Sequence, residues 1–251
     1  MELKNNERID DLQFKDLKII QNSQGFCFGI DAILLSDFAK DMKKSELVVD
    51  LCTGTGVIPI LLAGKTEAKK IIGVEIQEEC ADMAKRSVAL NNLENRVEII
   101  NVDLKLLKNV IPSATVDVVT VNPPYMKKGT GVINEKNAII ISKHEVSCTL
   151  EDVIKEAARL LKFNGEFYMI HKSERIADVF CTMRKYKIEP KRVRFVYPQV
   201  NKPSNLVLVE GTRSGKEFLK HEKPLIVYKE NKEYTDEIYK IYNIKRDEKQ
   251  K

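Results

Sequence analysis

The chain has 251 residues, 43% hydrophobic and 31% charged, with a formal net charge of +5. That length suits one large α/β domain, and that balance excludes wholesale disorder. Five separated cysteines without zinc-like spacing predict reduced thiols and no metal, while the lack of a signal-like start or an apolar run of about 18 residues predicts a cytoplasmic protein without membrane contact.

In chain order, residues 9–29 read as short strands and turns ending in the glycine-punctuated GFCFG at 25–29. Ile30, Ile33, Leu34 and Phe38 then recur at helical spacing, so residues 1–45 are expected to lay strands and a helix against a core spanning 46–230. That core opens with a strand, ELVVDL at 46–51, a glycine turn, CTGTG, and a helix, VIPILLAGK. Strands follow at 69–76, 96–103 and 115–125, with a polar-faced helix at 77–92. The fourth strand is almost continuous in valine, which fits burial on both faces. Thr149 and Asp152 have capping-box spacing before the helical pattern of Leu150, Val153, Ile154, Ala157, Ala158 and Leu161. A fifth strand is predicted at 165–171, a helix at 173–186, and RVRFVYP with NLVLVEG as a closing antiparallel pair. Strands alternating with helices mean a mostly parallel, doubly wound α/β sheet. The segment 231–251 reads as a polar, loosely held tail.

Ligands on such sheets lie beyond the carboxyl ends of the strands, where strand order reverses. The loop from Asp50 to Gly56 takes that place, and Gly54 and Gly56 let its backbone turn tightly and approach a ligand. Glu75 ends the next strand, where a carboxylate can accept from a ribose diol, and Asp103 ends the third, within reach of an adenine amino group. Each acid alone is an ordinary solvated strand end; three at successive strand ends are more specific. The dinucleotide alternative fits less well, because Pro59 stands where a third glycine would close the helix onto the strand.

Asn122, Pro123, Pro124 and Tyr125 follow at the end of the fourth strand. An aromatic amino group is a poor nucleophile because its lone pair is delocalised into the ring. If the Asn122 side-chain oxygen and the Pro123 carbonyl each accept one of its N–H bonds, the nitrogen can move towards a tetrahedral shape. The prolines would hold that carbonyl rigidly and Tyr125 would stack on the base. Methyl transfer then needs alignment more than acid–base help, and His144 and His171 are expected to be structural.

Four stretches together resemble the bacterial tRNA1(Val) adenine-37 N6-methyltransferase family: GFCFGIDAILLSDF at 25–38, DLCTGTGVIPILLA at 50–63, VNPPYMKKGTG at 121–131 and KHEVSCTLEDVIKEAARLLKFNGEFYMIHKSERI at 143–176. The resemblance implies a Rossmann-like class I fold with a mostly parallel seven-stranded sheet and helices on both faces. It further implies S-adenosylmethionine as methyl donor, adenine 37 of a tRNA as acceptor, and a monomer or weak dimer. Carried over, Asp50, Cys52, Thr53, Gly54, Gly56, Glu75, Ile76, Asp103 and Asn122 would line the cofactor, with Phe28 and Asp31 closing over its methionine part. Between Lys162 and Lys216 there are 12 Lys or Arg against 5 Asp or Glu, and within that half Lys172, Arg175, Lys191, Arg192 and Arg194 are candidates for tRNA phosphates. Release-factor glutamine and rRNA guanine N2-methyltransferases carry related motifs with extra sequence upstream. The short stretch before Asp50 favours RNA adenine. A cofactor- and RNA-binding module without turnover is the further alternative, disfavoured by the intact Asn122–Tyr125 motif.

Overall fold

The computed structural model describes residues 2–25, 27–124 and 148–244. Its centre is a sheet in which β3 (Leu47–Leu51), β4 (Lys70–Glu75), β5 (Val97–Asn101), β6 (Val116–Val121) and β7 (Leu161–Lys172) run parallel. β9 (Leu206–Arg213) is antiparallel to both β7 and β8 (Ile188–Tyr197). The seven strands lie in the order β8-β9-β7-β6-β3-β4-β5, and two-residue strands, β10 (Lys220–His221) and β11 (Leu225–Ile226), add to β8. The order reverses between β3 and β6, the expected place for a ligand crevice.

Both faces of the sheet are covered. One carries α1 (Ile30–Phe38), α2 (Val57–Lys65) and α3 (Glu78–Leu90), with Leu34, Leu61 and Ala84 packed on Val48, Ile71 and Ile170. The other carries a 310 turn (Leu104–Asn109), α4 (Leu150–Leu160) and α5 (Ile176–Lys185), with Leu107, Ile154 and Val179 against Val119 and Phe167. Each such fully buried Val, Leu, Ile or Phe side chain contributes about 1.5–3 kcal/mol relative to exposure. α4 starts as its sequence requires: the Thr149 hydroxyl accepts from the Asp152 N–H at 3.1 Å, and the Asp152 carboxylate accepts from the Thr149 N–H at 3.0 Å.

The N-terminal strands β1 (Glu7–Asp11) and β2 (Lys18–Asn22) form an antiparallel hairpin outside the main sheet. It is fastened to α3, where the Arg86 guanidinium donates to both Glu7 oxygens at 2.6 and 2.8 Å and the Ser87 hydroxyl accepts from the Ile20 N–H at 2.9 Å.

The C-terminal segment differs from its expected loose tail. Residues Asp236–Ile241 form a short helix, α6, capped by Thr235, and bury Ile238 and Ile241 in the same core as α1. Two apolar residues three apart suffice to dock one helical turn, too few to stand out from the polar surroundings. β7 likewise starts four residues earlier than predicted, because Leu161 pairs with Val116 before a register shift between Val116 and Val118. Among the described residues no helix is long and apolar enough to cross a membrane.

Candidate active site

The crevice is built from consecutive strand ends. After β3 the backbone turns sharply, with Cys52, Gly54 and Gly56 at φ of +58°, +57° and +90°. Gly56 packs on α3, where an added Cβ would stand 3.1 Å from that of Ala84, whereas a Cβ on Gly54 would meet nothing within 4 Å. The loop is therefore closed beneath Gly56 and open above Gly54.

Two carboxylates hold this loop. Asp50 is fully buried, and its two oxygens accept from the hydroxyls of Thr53 and Thr120, each at 2.6 Å. Burial pushes its carboxyl up to about 7 against the pull of those hydroxyls. Asp50 thus lies beneath the loop and presents no oxygen to the crevice. Glu75, 5% exposed, accepts from the Gly54 N–H at 2.8 Å with one oxygen and from the Gln77 N–H at 2.9 Å with the other. Each oxygen keeps a lone pair for a further donor. Next to it Ile76 leaves 41% of its surface exposed, an apolar patch beside the open loop. Asp103 caps the 310 turn, accepting from the Lys105 N–H at 2.9 Å with one oxygen. Its other oxygen has no hydrogen bond among the described residues.

Asn122 follows the last residue of β6, whose Val121 pairs with Leu51 on one side and Met169 on the other. It therefore sits beside the glycine turn. Its amide N–H donates to Asp31 Oδ2 at 3.1 Å, joining residues 91 positions apart in the chain. Asp31 is placed by the first turn of α1, and Phe28 just before it is fixed because its N–H donates to Gln21 Oε1 at 2.8 Å. Gln21 is itself buried and donates to Asp10 at 2.8 Å. Pro123 is buried and Pro124 half-buried; Tyr125 and His144 lie outside the described residues. On the other side of the turn the Cys52 and Cys148 sulfurs are 3.9 Å apart. The neighbouring thiol and burial push Cys52 well above its ordinary range, so it stays protonated.

Residues 28–186 match the methyltransferase small domain family. The chain belongs to that family. Among similar proteins is the tRNA1(Val) (adenine(37)-N6)-methyltransferase of Porphyromonas gingivalis, 25% identical over 80% of each chain. That of Bacteroides fragilis is 25% identical over 91% of this chain and 94% of its own. In three dimensions the methyltransferase resembles a predicted O-methyltransferase from Agrobacterium tumefaciens, with TM-score 0.68, 19% identity, and coverage of 85% of this chain and 95% of that one. It also resembles M. jannaschii TYW2, solved in complex with AdoMet, with TM-score 0.57, 16% identity, and coverage of 84% and 88%. These likenesses establish a class I methyltransferase fold.

The basic residues of the methyltransferase do not gather in one place. Lys172 and Arg175 stand at the carboxyl edge of the sheet, the edge that carries Asn122, although the Arg175 guanidinium is paired with Asp178. Lys191, Arg192 and Arg194 lie farther back, since β8 runs about 20 Å from Lys191 to Tyr197. The Lys191 ammonium donates to the carbonyls of Lys216 and Glu217 at 3.0 and 3.1 Å, and Arg194 to that of Lys223 at 3.0 Å and to Glu237 at 2.7 Å. Arg192 serves the fold: it pairs with Glu210 and Glu222, donates to the Phe38 carbonyl at 2.9 Å and lies 4.0 Å from the Phe38 ring centroid. A guanidinium paired with two carboxylates and 19% exposed is held by the fold and is poorly placed to reach a phosphate.

His171 is buried, its Nδ1 accepts from the Lys172 N–H at 2.8 Å, and burial with the nearby Arg175 charge lowers its pKa to about 4. So weak a base is a structural residue. Sequence reasoning missed Gln21, whose only signal was a polar side chain inside the apolar KIIQN strand. It also missed Thr120, an unremarkable hydroxyl in a valine-rich strand.

Proposed function

We propose that the chain transfers a methyl group from S-adenosylmethionine to N6 of an adenine in tRNA, adenine 37 of a valine tRNA. The observation that carries this reading is the position of Asn122, which donates to Asp31 at the strand end beside an open glycine turn. The names of the relatives support the same acceptor. The residues present fit the cofactor: Glu75 has acceptor capacity for a ribose, Ile76 an apolar face for adenine, Asp103 an oxygen for an amino group, and Gly54 open space above its Cα. Phe28 and Asp31 would border its amino-acid end, while Asp50, Cys52, Thr53 and Gly56 shape the loop from below.

When bound, S-adenosylmethionine supplies a methyl group on a sulfonium, already a good leaving group. Asn122 Oδ1 and the Pro123 carbonyl accept the two N–H bonds of the adenine amino group, which raises the nucleophilicity of its nitrogen. The rigid prolines hold the Pro123 carbonyl in place, and the proton released after transfer passes to solvent. The acceptor adenine must leave its stack to enter the crevice, which is easiest in a single-stranded loop. Lys172 and Arg175 would take tRNA phosphates along the same edge. Residues 46–230 are the methyltransferase domain, 1–45 cover it, and 231–251 follow it. The enzyme would act in the cytoplasm as a monomer or weak dimer.

Incubation with labelled S-adenosylmethionine and unmodified total tRNA, then digestion and nucleoside mass spectrometry, is expected to give N6-methyladenosine. Label in release-factor glutamine or in rRNA guanine, with tRNA blank, overturns the acceptor.

The two loop glycines give a contrasting expectation. Gly54→Ala carries only the left-handed backbone cost, about 1–2 kcal/mol of stability. Its methyl group fills the open space, so the Kd for S-adenosylhomocysteine is expected to rise at least about tenfold, the equivalent of 1–3 kcal/mol of overpacking. Gly56→Ala adds the contact with Ala84 to its strain and is expected to cost about 2–4 kcal/mol in denaturant unfolding. Equal stability and equal affinity in the two variants would refute this placement of the cofactor.

A further inference from the structure

Beyond the crevice, the same edge of the sheet holds an open cavity of about 650 Å³ that, apart from Lys172 in its lining, the reading above does not use. It lies between the end of β7 and the end of β8, lined by Lys172 and Ser173 on one side and by Phe195, Tyr197 and Asn205 on the other. Both strands end here because β8 runs parallel to β7, with β9 between them. Neighbouring strands are about 4.8 Å apart, so the cavity spans from about 5 to about 15 Å from the β6 end that carries Asn122. That is the reach of the next one or two nucleotides of an unpaired strand.

Its chemistry selects among the parts of a nucleotide. Phe195 and Tyr197 alternate along β8 and so point to the same face, both half-buried. One cation, Lys172, and one carboxylate, Glu174, line the cavity together, so its lining is not a cluster of like charge. Asn205, exposed at the rim, carries an amide that can donate and accept at once, the pattern of a base edge. The walls are tied together: the Ser173 hydroxyl donates to the Ser204 carbonyl at 2.6 Å and the Ser173 N–H to that of Asn205 at 3.2 Å. Two aromatic side chains and one amide, together in one open cleft, match the parts of an unstacked nucleobase.

We propose that the cleft between the ends of β7 and β8 seats an unpaired base flanking the acceptor adenine, stacked on Tyr197 with its edge to Asn205. This rests on the RNA reading above. Splaying a second base out of the loop would hold the strand open and deliver the acceptor to Asn122. Tyr197 is then a positioning residue for the substrate, acting on tRNA recognition and not on the methyl group.

Stacking of one base on a ring is a large share of single-strand affinity, so Tyr197→Ala is expected to raise the KM for tRNA by about 5- to 150-fold with little change in kcat. Tyr197→Phe keeps the ring and should stay near the unaltered chain, whereas Tyr197→Leu keeps apolar bulk without the ring and should resemble Ala. S-adenosylhomocysteine affinity and Tm should not move in any of the three. The decisive arm uses tRNA with an abasic nucleotide on one side, then the other, of the acceptor adenine. On one side the unaltered chain should lose the same factor as Tyr197→Ala does on intact tRNA, and the two losses should not multiply. A KM within about twofold for Tyr197→Ala, a Leu variant as good as Phe, or losses that multiply overturns the inference. Failure of the RNA reading looks different: the unaltered chain itself then leaves tRNA unlabelled.

Discussion

Asn122→Ala is expected to lower kcat for tRNA methylation by about 10²–10³, the usual consequence of deleting one pre-placed polar group at a developing charge. The backbone of the site should survive, because Val121 is fixed by its register with Leu51 and Met169 and the prolines stiffen the chain that follows. S-adenosylhomocysteine affinity should fall only modestly and tRNA affinity little. Asn122→Asp keeps an oxygen at the same place but sets a second carboxylate beside Asp31, where the amide N–H now sits 3.1 Å from its Oδ2. It is expected to recover only part of the loss, because the two carboxylates repel. Rates for Asn122→Ala within about threefold of the parent would remove Asn122 from the chemistry; loss of tRNA binding without loss of kcat would make it a docking residue.

The second large effect belongs to Asp50. Its carboxyl is raised from 3.8 to about 7 by burial, while in the unfolded chain it ionises at the ordinary value. Folding therefore binds a proton between these values. The stability of the ligand-free protein attributable to this group is fully present below about pH 4 and is lost as pH rises through about 7. At 1.36 kcal/mol per pH unit the loss amounts to about 4 kcal/mol, flat above pH 8. Asp50→Asn, of the same shape and with Thr53 and Thr120 able to rotate their hydroxyls, should abolish that slope. In urea unfolding it should be the more stable chain at pH 8 and nearly equal to the parent at pH 4. The cationic cofactor favours the ionised carboxylate, so its affinity for the parent should rise as pH approaches 7 and its binding should release a proton. Asp50→Asn should bind it more weakly with no such pH dependence. A parent whose stability is level from pH 4 to 7 would overturn this assignment.

Much of the fold was legible because its signals are local. ELVVDL followed by CTGTG and VIPILLAGK dictates a strand, a turn and a helix within one stretch, and the Thr149–Asp152 box fixes the start of α4 by itself. What escaped depends on partners distant in sequence. Asp50 at a strand end reads equally as a crevice ligand or a buried strut; only the neighbouring β6, which brings Thr120 within 2.6 Å, decides for the strut. Arg192 belongs to a basic stretch by count, but Glu210 faces it across the β8–β9 ladder and Glu222 follows β10 on the opposite side. The surplus of Lys and Arg between Lys162 and Lys216 thus overstates the positive face available to an anion. Glu75 and Gly54 come together as the glycine turn implies, yet the hydrogen bond that closes them could not be read from spacing.

The two-residue strands β10 and β11 bear on how the sheet behaves towards other chains. β8 is a long edge strand, and an open row of N–H and C=O groups there would invite a further strand from another molecule. Lys220, His221, Leu225 and Ile226 occupy that row instead, pairing with Arg192, Val193, Val196 and Tyr197. At the opposite border β5 is only five residues long and turns Glu98 outwards. A short, charged margin on one side and a borrowed fringe on the other stop the sheet from growing by accretion.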